Sequence, residues 1–315
     1  MTAEKSGGRR LNPGKIRRNV FIAVMLGLPI LHFCIFYIWL NFNSFVMAFN
    51  EGPEIIWDNG MISYGGDTFG WNNFRRIFAN ESNILSVALV NTLLFFAVTV
   101  AMVPVALLIS YFLYKRITGF AFFRFVFFLP SIVTALIFVS AFSTFFERLG
   151  PVYKLCELFG WKWSVLLEDS IKGVFTILGY SLWVGLGVNM LLYQSAMSRV
   201  PEEVMQVGKL DGVGWCRELF QLIVPMIWPT LSMTLLLAFT GMFTGGNIVL
   251  LFNNEGRLAN LNTISYWIYA RSGEGAADVD RNAAAAAGLV FTVIGFPILL
   301  FVRWLLNKLD PDVSY

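Results

Sequence analysis

Charged residues are scarce in this sequence, at 14% of 315 positions, and long stretches have none. The runs Val20 to Asn50, Ser82 to Tyr114, Phe125 to Phe146, Gly173 to Ser198, Leu219 to Asn254 and Asn282 to Val302 contain no Asp, Glu, Lys or Arg. Each is long enough to supply the roughly 20 apolar residues a helix needs to cross hydrocarbon. With 57% of the chain hydrophobic, an ordinary soluble domain is excluded. Lipid offers the backbone no hydrogen-bond partners, so the runs are predicted to be helices. The expected fold is all-α transmembrane, with six spans.

Other absences narrow the function. The single histidine, His32, stands in the first run with no carboxylate or thiol beside it, the pattern of a packed polar residue rather than a base or a ligand. No Ser/His/Asp set, carboxylate pair or metal cluster is visible, so no catalysis is expected in this chain. The three cysteines, Cys34, Cys156 and Cys216, fall in membrane, outer loop and inner loop, and form no disulfide framework. There is no GxxxxGK[ST] loop to cradle nucleotide phosphates. No ionisable carboxylate or amine lies within the runs, which removes the usual buried relay for coupling to an ion gradient. No convincing internal repeat marks the chain as a secondary carrier. Uphill transport by this chain would need energy supplied by another polypeptide. Nothing in the pattern suggests nucleic acid.

Lys and Arg counts orient the spans. The first tail carries Lys5, Arg9, Arg10, Lys15, Arg17 and Arg18, and six spans return both termini to its side. That side collects 14 of the 23 basic residues and 7 of the 20 acidic ones. Both termini are therefore expected in the cytoplasm. The first run is too long for a cleavable signal peptide and lacks a small-residue cleavage site. Residues 1–19 read as a basic cytoplasmic tail and 20–315 as the membrane domain, with a core at about 84–306. Outer loops are expected near 51–81, able to fold locally, near 147–172, with Trp161 and Trp163 suited to the interface, and near 255–281. The Ala283–Gly288 run suits close helix packing.

What the chain does contain is a polar cytoplasmic loop, Val200 to Thr230. Seven charged residues cluster in and beside it: Arg199, Glu202, Glu203, Lys209, Asp211, Arg217 and Glu218. A short helical run is broken at Asp211-Gly212, a second follows, and Pro225 is expected to close it. Gly212 should take a backbone angle other residues resist, and Asp211 should cap the second helix. A bent helix pair of this kind suits docking into a soluble partner; alone, the same charges would read as a solvated loop.

Here the sequence resembles the inner-membrane permeases of ATP-binding-cassette importers, which share an EAA loop. In that pattern an Asp-Gly pair follows the Glu-Ala-Ala motif, and a proline comes thirteen residues after the glycine. This chain has Gln206-Val207-Gly208, Asp211-Gly212 and Pro225, preceded by Val200-Pro201-Glu202-Glu203. Further patches agree with the sugar-importing branch of maltose and oligosaccharide type: Trp71-Asn72-Asn73-Phe74, Asn91-Thr92, Arg124 to Pro130, and Thr263 to Tyr269. The departure is Gln206, which stands where the family has an acid; Glu202 or Glu203, on a similar helical face, would supply the missing charge.

The resemblance implies a six-helix polytopic permease of the type I ABC importer architecture, multi-pass in a bacterial plasma membrane. It implies a second permease subunit, of a different sequence, two ATPase subunits that bind ATP and Mg, and an extracytoplasmic solute-binding protein; this chain itself would hold no cofactor. Glu202, Glu203, Gln206, Gly208, Asp211, Gly212 and Pro225, within a coupling loop at 200–229, would meet the ATPase. Sugars are held by aromatic faces and by amide or hydroxyl groups. Tyr180, Ser181, Trp183 and Asn189, beside flexible Gly185 and Gly187, are the candidates in the fourth span, and Phe243 and Asn247 in the fifth. Trp183 and Asn189 do not share one clean helical face, and packing or lipid contact is the alternative for each aromatic. Outside this reading stand a permease for a non-sugar solute, an ATP-independent carrier, and a membrane-anchored assembly or sensor protein.

Overall fold

The computed structural model describes residues 13–58, 61–79, 82–147, 150–160, 170–243, 247–252, 261–273 and 277–311. Helix α1 (Pro13–Phe33) passes through a π-helical segment, Cys34–Trp39, into α2 (Leu40–Phe49). The helix therefore begins at Pro13, inside what the charge pattern assigns to the tail; proline is well suited to a first helical position. The first outer loop forms an antiparallel hairpin, β1 (Asn50–Asp58) with β2 (Met61–Phe69), followed by α3 (Asn72–Ala79). This small unit is well built: the Asn73 amide donates to the carbonyls of Ala48 (3.2 Å) and Asn50 (2.7 Å), and Glu51 accepts from the Asn72 N–H (2.7 Å).

Helix α4 (Ser82–Tyr114) is the second span. The third expected span is two helices, α5 (Phe120–Ile132) and α6 (Ala135–Phe146), joined by extended Val133 and Thr134. Pro130 removes a helical donor just before a β-branched run, Ile132-Val133-Thr134, that favours extended backbone. After α7 (Pro151–Leu158) comes α8 (Ser170–Met197), the fourth span. Trp161 and Trp163 lie outside the described residues.

The loop follows as α9 (Glu202–Leu210), then α10 (Trp215–Arg217), a π-helical segment Glu218–Ile223, and α11 (Val224–Met226). Helix α12 (Trp228–Gly241) leaves this arm at 79°. The fifth charge-free run is therefore bent at Ile227–Trp228, and α13 (Asn247–Phe252) follows α12. Leu219 and Ile223, in the first part of that run, are buried against the bundle. Helix α14 (Ile264–Ser272) leads to α15 (Asp278–Lys308). Among the described residues five helices are long and apolar enough to cross a bilayer, six if the bent pair counts as one span.

Helices α4 and α8 form the central pair, with α5 on α8 and α2 and α14 on α15. Gly185 and Gly187 are packing residues, not flexible ones. A Cβ at Gly185 would collide with Met102 of α4, and one at Gly187 would lie 2.6 Å from the Phe127 carbonyl of α5. Both lie inside the unbroken helix α8. Ala283, Ala284, Ala286 and Ala287 are buried at one face of α15, as the small-residue run predicts. Two sequence patches far apart meet: Asn91 donates to the Asn262 carbonyl (2.9 Å), and Thr92 Oγ1 accepts from the Ile264 N–H (3.0 Å). Helices α1 and α2 and the π-helical segment between them expose large apolar side chains along most of their length, such as Phe21, Leu28 and Trp39. Such a surface must be covered by hydrocarbon or another chain.

Candidate functional site

The loop folds as a knob whose shape follows from its glycines. Gly212 takes φ +67°, and two bonds close the end of α9: Gly212 N–H to the Lys209 carbonyl (3.2 Å) and Val213 N–H to the Gly208 carbonyl (3.0 Å). This pairing satisfies carbonyls left over at a helix end and needs a left-handed residue, which glycine supplies without a Cβ penalty. Asp211 does not cap the second helix. Gly214 holds that position, with no side-chain cap, and its carbonyl accepts from the Glu218 N–H (2.9 Å). Nor does Pro225 close the arm. It sits in the first turn of α11, where its missing N–H is tolerated, and the bend falls two residues later.

The two arms of the knob touch closely at Gly208. It is buried, and a Cβ there would stand 2.8 Å from Leu222 Cδ1. Met205, Leu219, Ile223 and Ile227 are buried in one cluster with Met102, Tyr111, Tyr193 and Met197 of the central pair. The inner face of the knob is thus continuous with the core of α4 and α8.

Polar and aromatic contacts pin the same junction. Lys115, just past α4, forms an ion pair with Glu218, whose side chain is only 11% exposed. The Lys115 ammonium also lies 5.7 Å from the Tyr111 ring centre, and Phe112 packs on Trp215 at 5.6 Å. Tyr193 and Thr234 share a hydroxyl bond of 2.8 Å, and Trp228 donates from Nε1 to the Leu306 carbonyl of α15 at 3.3 Å. That Lys115 partners the loop is not legible in the sequence. Its only sequence signal is a lysine at the end of a charge-free run, and Glu218 lies more than a hundred positions away.

The outer face of the knob is exposed. Glu202, Glu203, Gln206, Asp211 and Gly212 all reach solvent, together with Val207 and Leu210, the latter 87% exposed. Neither Glu202 nor Glu203 has an ion-pair partner among the described residues. Seven positions were expected to act together here. Glu202, Glu203, Gln206, Asp211 and Gly212 share the solvent face, whereas Gly208 lies at the arm junction and Pro225 in the arm base.

The residues expected to meet solute are not gathered in one place. Ser181 lines an interior cavity of about 290 Å³ with Thr92, Thr99, Met102, Gly185 and Ser265. Tyr180 and Trp183 face a second cavity of about 470 Å³ near Phe142 and Phe175. Tyr180 itself is buried and stacked edge-on to Phe142 and Phe252. Phe243 lines a third, of about 440 Å³, and packs on Phe291. Asn189 turns back on its own helix, donating to the Gly185 carbonyl at 2.9 Å. The side chain of Asn247 lies outside the described residues. Thr92, Thr99 and Ser265 went unnoticed as candidates because single hydroxyls in an apolar run leave no pattern.

Comparison with known proteins bears on this geometry. The family described as "Binding-protein-dependent transport system inner membrane component" matches residues 102–315. The sn-glycerol-3-phosphate transport system permease protein UgpA of Pectobacterium atrosepticum is 29% identical over 241 residues, 74% of this chain and 78% of that protein. The maltose/maltodextrin transport system permease protein MalF of Klebsiella aerogenes is 26% identical over 272 residues, which cover 81% of this chain but only 52% of MalF. A chain from the crystal structure of a bacterial ABC transporter involved in the import of the acidic polysaccharide alginate superposes with a TM-score of 0.78 at 19% identity, over 94% of this chain and 98% of that one.

Proposed function

From the chain's membership of the binding-protein-dependent transport system inner membrane component family, we infer that it is the permease half of a sugar importer driven by separate ATPases through the knob at 200–229. The chain is a multi-pass membrane transport component and not an enzyme. In this reading both termini and the knob are cytoplasmic, in keeping with the excess of Lys and Arg on that side. A second permease subunit, of unlike sequence, completes the pathway; two ATPase subunits bind ATP and Mg; a solute-binding protein delivers cargo from outside. Residues 1–19 serve as a cytoplasmic tail and 20–315 as the permease domain.

The observation that carries the reading is the construction of the knob. Its inner face is one piece with the core of α4 and α8. Its outer face presents Glu202, Glu203 and Gln206 beside exposed Val207 and Leu210. A body of this kind passes a push at its tip to the spans without first deforming. Glu202 and Glu203, both exposed and without an ion-pair partner among the described residues, stand in for the acid that Gln206 lacks and would meet basic groups of the ATPase.

A sugar cargo suits the 290 Å³ cavity, whose polar lining is Thr92, Thr99, Ser181, Thr263 and Ser265 without a charged group. A phosphate ester, the cargo named for UgpA, is the second reading. It would want Arg or Lys on that path, and this cavity has none. An oligosaccharide is therefore favoured.

The test is uptake and ATP hydrolysis in proteoliposomes holding the whole importer. Proline cannot adopt φ +67°, so Gly212→Pro should abolish sugar-stimulated hydrolysis while the subunits still assemble. Full coupling in that variant would defeat the knob as transmitter.

A further inference from the structure

A cavity of about 360 Å³ opens where the end of α4, the start of α5 and the end of α8 converge, beside the knob but outside the sugar path. Its polar walls are Arg116, Arg124, Tyr114, Gln194 and Ser198, and no carboxylate lines it. Neither guanidinium has an ion-pair partner among the described residues. The nearby acid, Glu218, is already engaged by Lys115. Gln194 also lines the cavity, with its Nε2 sealed from solvent. Arg116 also holds a backbone angle, φ +53°, uncommon for a residue with a side chain. At the same place in the turn a glycine would be unstrained, and Gly119 three positions on is left-handed too. Arginine at this strained position suggests that its side chain is needed.

We propose that this cavity binds a phosphate oxyanion, taken either from the headgroup of an anionic phospholipid or from a free phosphate in the cytoplasm. Two guanidiniums offer forked donors matched to phosphate oxygens, with Tyr114 and Ser198 beside them on the cavity wall. The cavity lies at the end of the spans, and the exposed phenylalanines Phe122, Phe123 and Phe125 of α5 continue from it toward the apolar surface. Basic pockets between helices at this depth take lipid headgroups on the cytoplasmic side. The cytoplasmic assignment rests on the orientation proposed above; the binding itself does not, and its test requires no transport.

The full chain, purified with the subunits that accompany it, is heated in detergent with added palmitoyl-oleoyl phosphatidylglycerol or phosphatidylcholine. In separate samples it is heated with inorganic phosphate or with chloride at equal ionic strength. Phosphatidylglycerol or phosphate should raise the unfolding midpoint over its control. Arg116→Gly with Arg124→Gln should weaken that response about tenfold, and its midpoint in the controls should match wild type because glycine relieves the turn. Arg124→Gln alone gives the same direction of change if the double variant does not fold. A response to the lipid only assigns the headgroup as source, a response to phosphate only assigns the soluble anion, and a response to both shows that the phosphate itself is read. No response to either, or an equal response in the variants, overturns the proposal.

Discussion

The junction beneath the knob and the interior cavity are both built from α4 and α8, yet they differ in how far their polar groups tie separate segments together. At the junction, bonds run between segments far apart in sequence: Lys115 to Glu218, Tyr193 to Thr234, Trp228 to Leu306. Around the cavity, Thr99 donates to the Phe95 carbonyl at 2.9 Å and Ser181 to Ile177 at 2.8 Å, each within its own helix, while Thr92 and Ser265, at one end, also tie α14 to its neighbours. Cross-links between helices make a body that moves as a unit. Hydroxyls satisfied within their own turn leave no unmet donor when the path is empty, and they still have lone pairs for a cargo. On the function proposed above, the difference separates a region that transmits force from one that is filled and emptied.

The sharpest way to break this contrast is to remove one half of the ion pair. Lys115→Ala leaves Glu218 nearly buried and without its cation, at a cost of about 3 kcal/mol. The variant should unfold at clearly lower temperature in detergent and lose sugar-dependent ATP hydrolysis. Exchanging the charges, Lys115→Glu with Glu218→Lys, should recover part of both. If the single variant couples hydrolysis to uptake like wild type, the pair is incidental to transmission.

A smaller effect is expected where the arms of the knob meet. Gly208→Ala pushes a methyl group against Leu222, which is the end of a flexible side chain and can yield. The cost should be about 1 kcal/mol. The ratio of sugar moved to ATP spent should fall while binding of the ATPase persists. Leu222→Ala in the same chain reopens the space and should restore the ratio. A double variant no better than Gly208→Ala would show that the arms do not need this contact to move together.

How far these regions can be read from sequence follows from the range of their contacts. The spans are legible because lipid imposes a continuous apolar run, and the Asp211-Gly212 bend because a left-handed glycine is a local requirement. The end of the arm was misplaced: Pro225 marks a break only if its missing N–H is needed, and the π-helical segment before it and the Trp228-Pro229 step after it shift the bend. The third span breaks at Val133-Thr134; the absence of charge hides the break, and only Pro130 and the β-branched residues after it mark the place. The hairpin at Asn50–Phe69 was read only as a loop able to fold. Lys115 and Glu218 were each visible, but nothing in a single sequence says that positions so far apart meet. The cavity hydroxyls were hidden for a related reason. Each is common in membrane helices on its own, and only the packing of α4, α8, α12, α13 and α14 closes one space around them.

The smallest expected change in stability lies at that space. Ser181→Ala removes a hydroxyl whose one bond runs to its own helix, so the unfolding midpoint should move by no more than the equivalent of about 0.5 kcal/mol. Thr99→Val behaves alike, since its bond to Phe95 is also internal. If the cavity is the sugar path, each deletion removes one group able to bond a sugar hydroxyl, and the concentration for half-maximal uptake should rise several-fold, in line with about 1 kcal/mol per neutral hydrogen bond. The ratio of ATP to sugar should stay at the wild-type value, because the junction is untouched. The two halves of the outcome separate the alternatives. A change in stability without a change in uptake would make the hydroxyls structural. A change in coupling ratio would mean that force and cargo share residues, and the contrast between the two regions would fail.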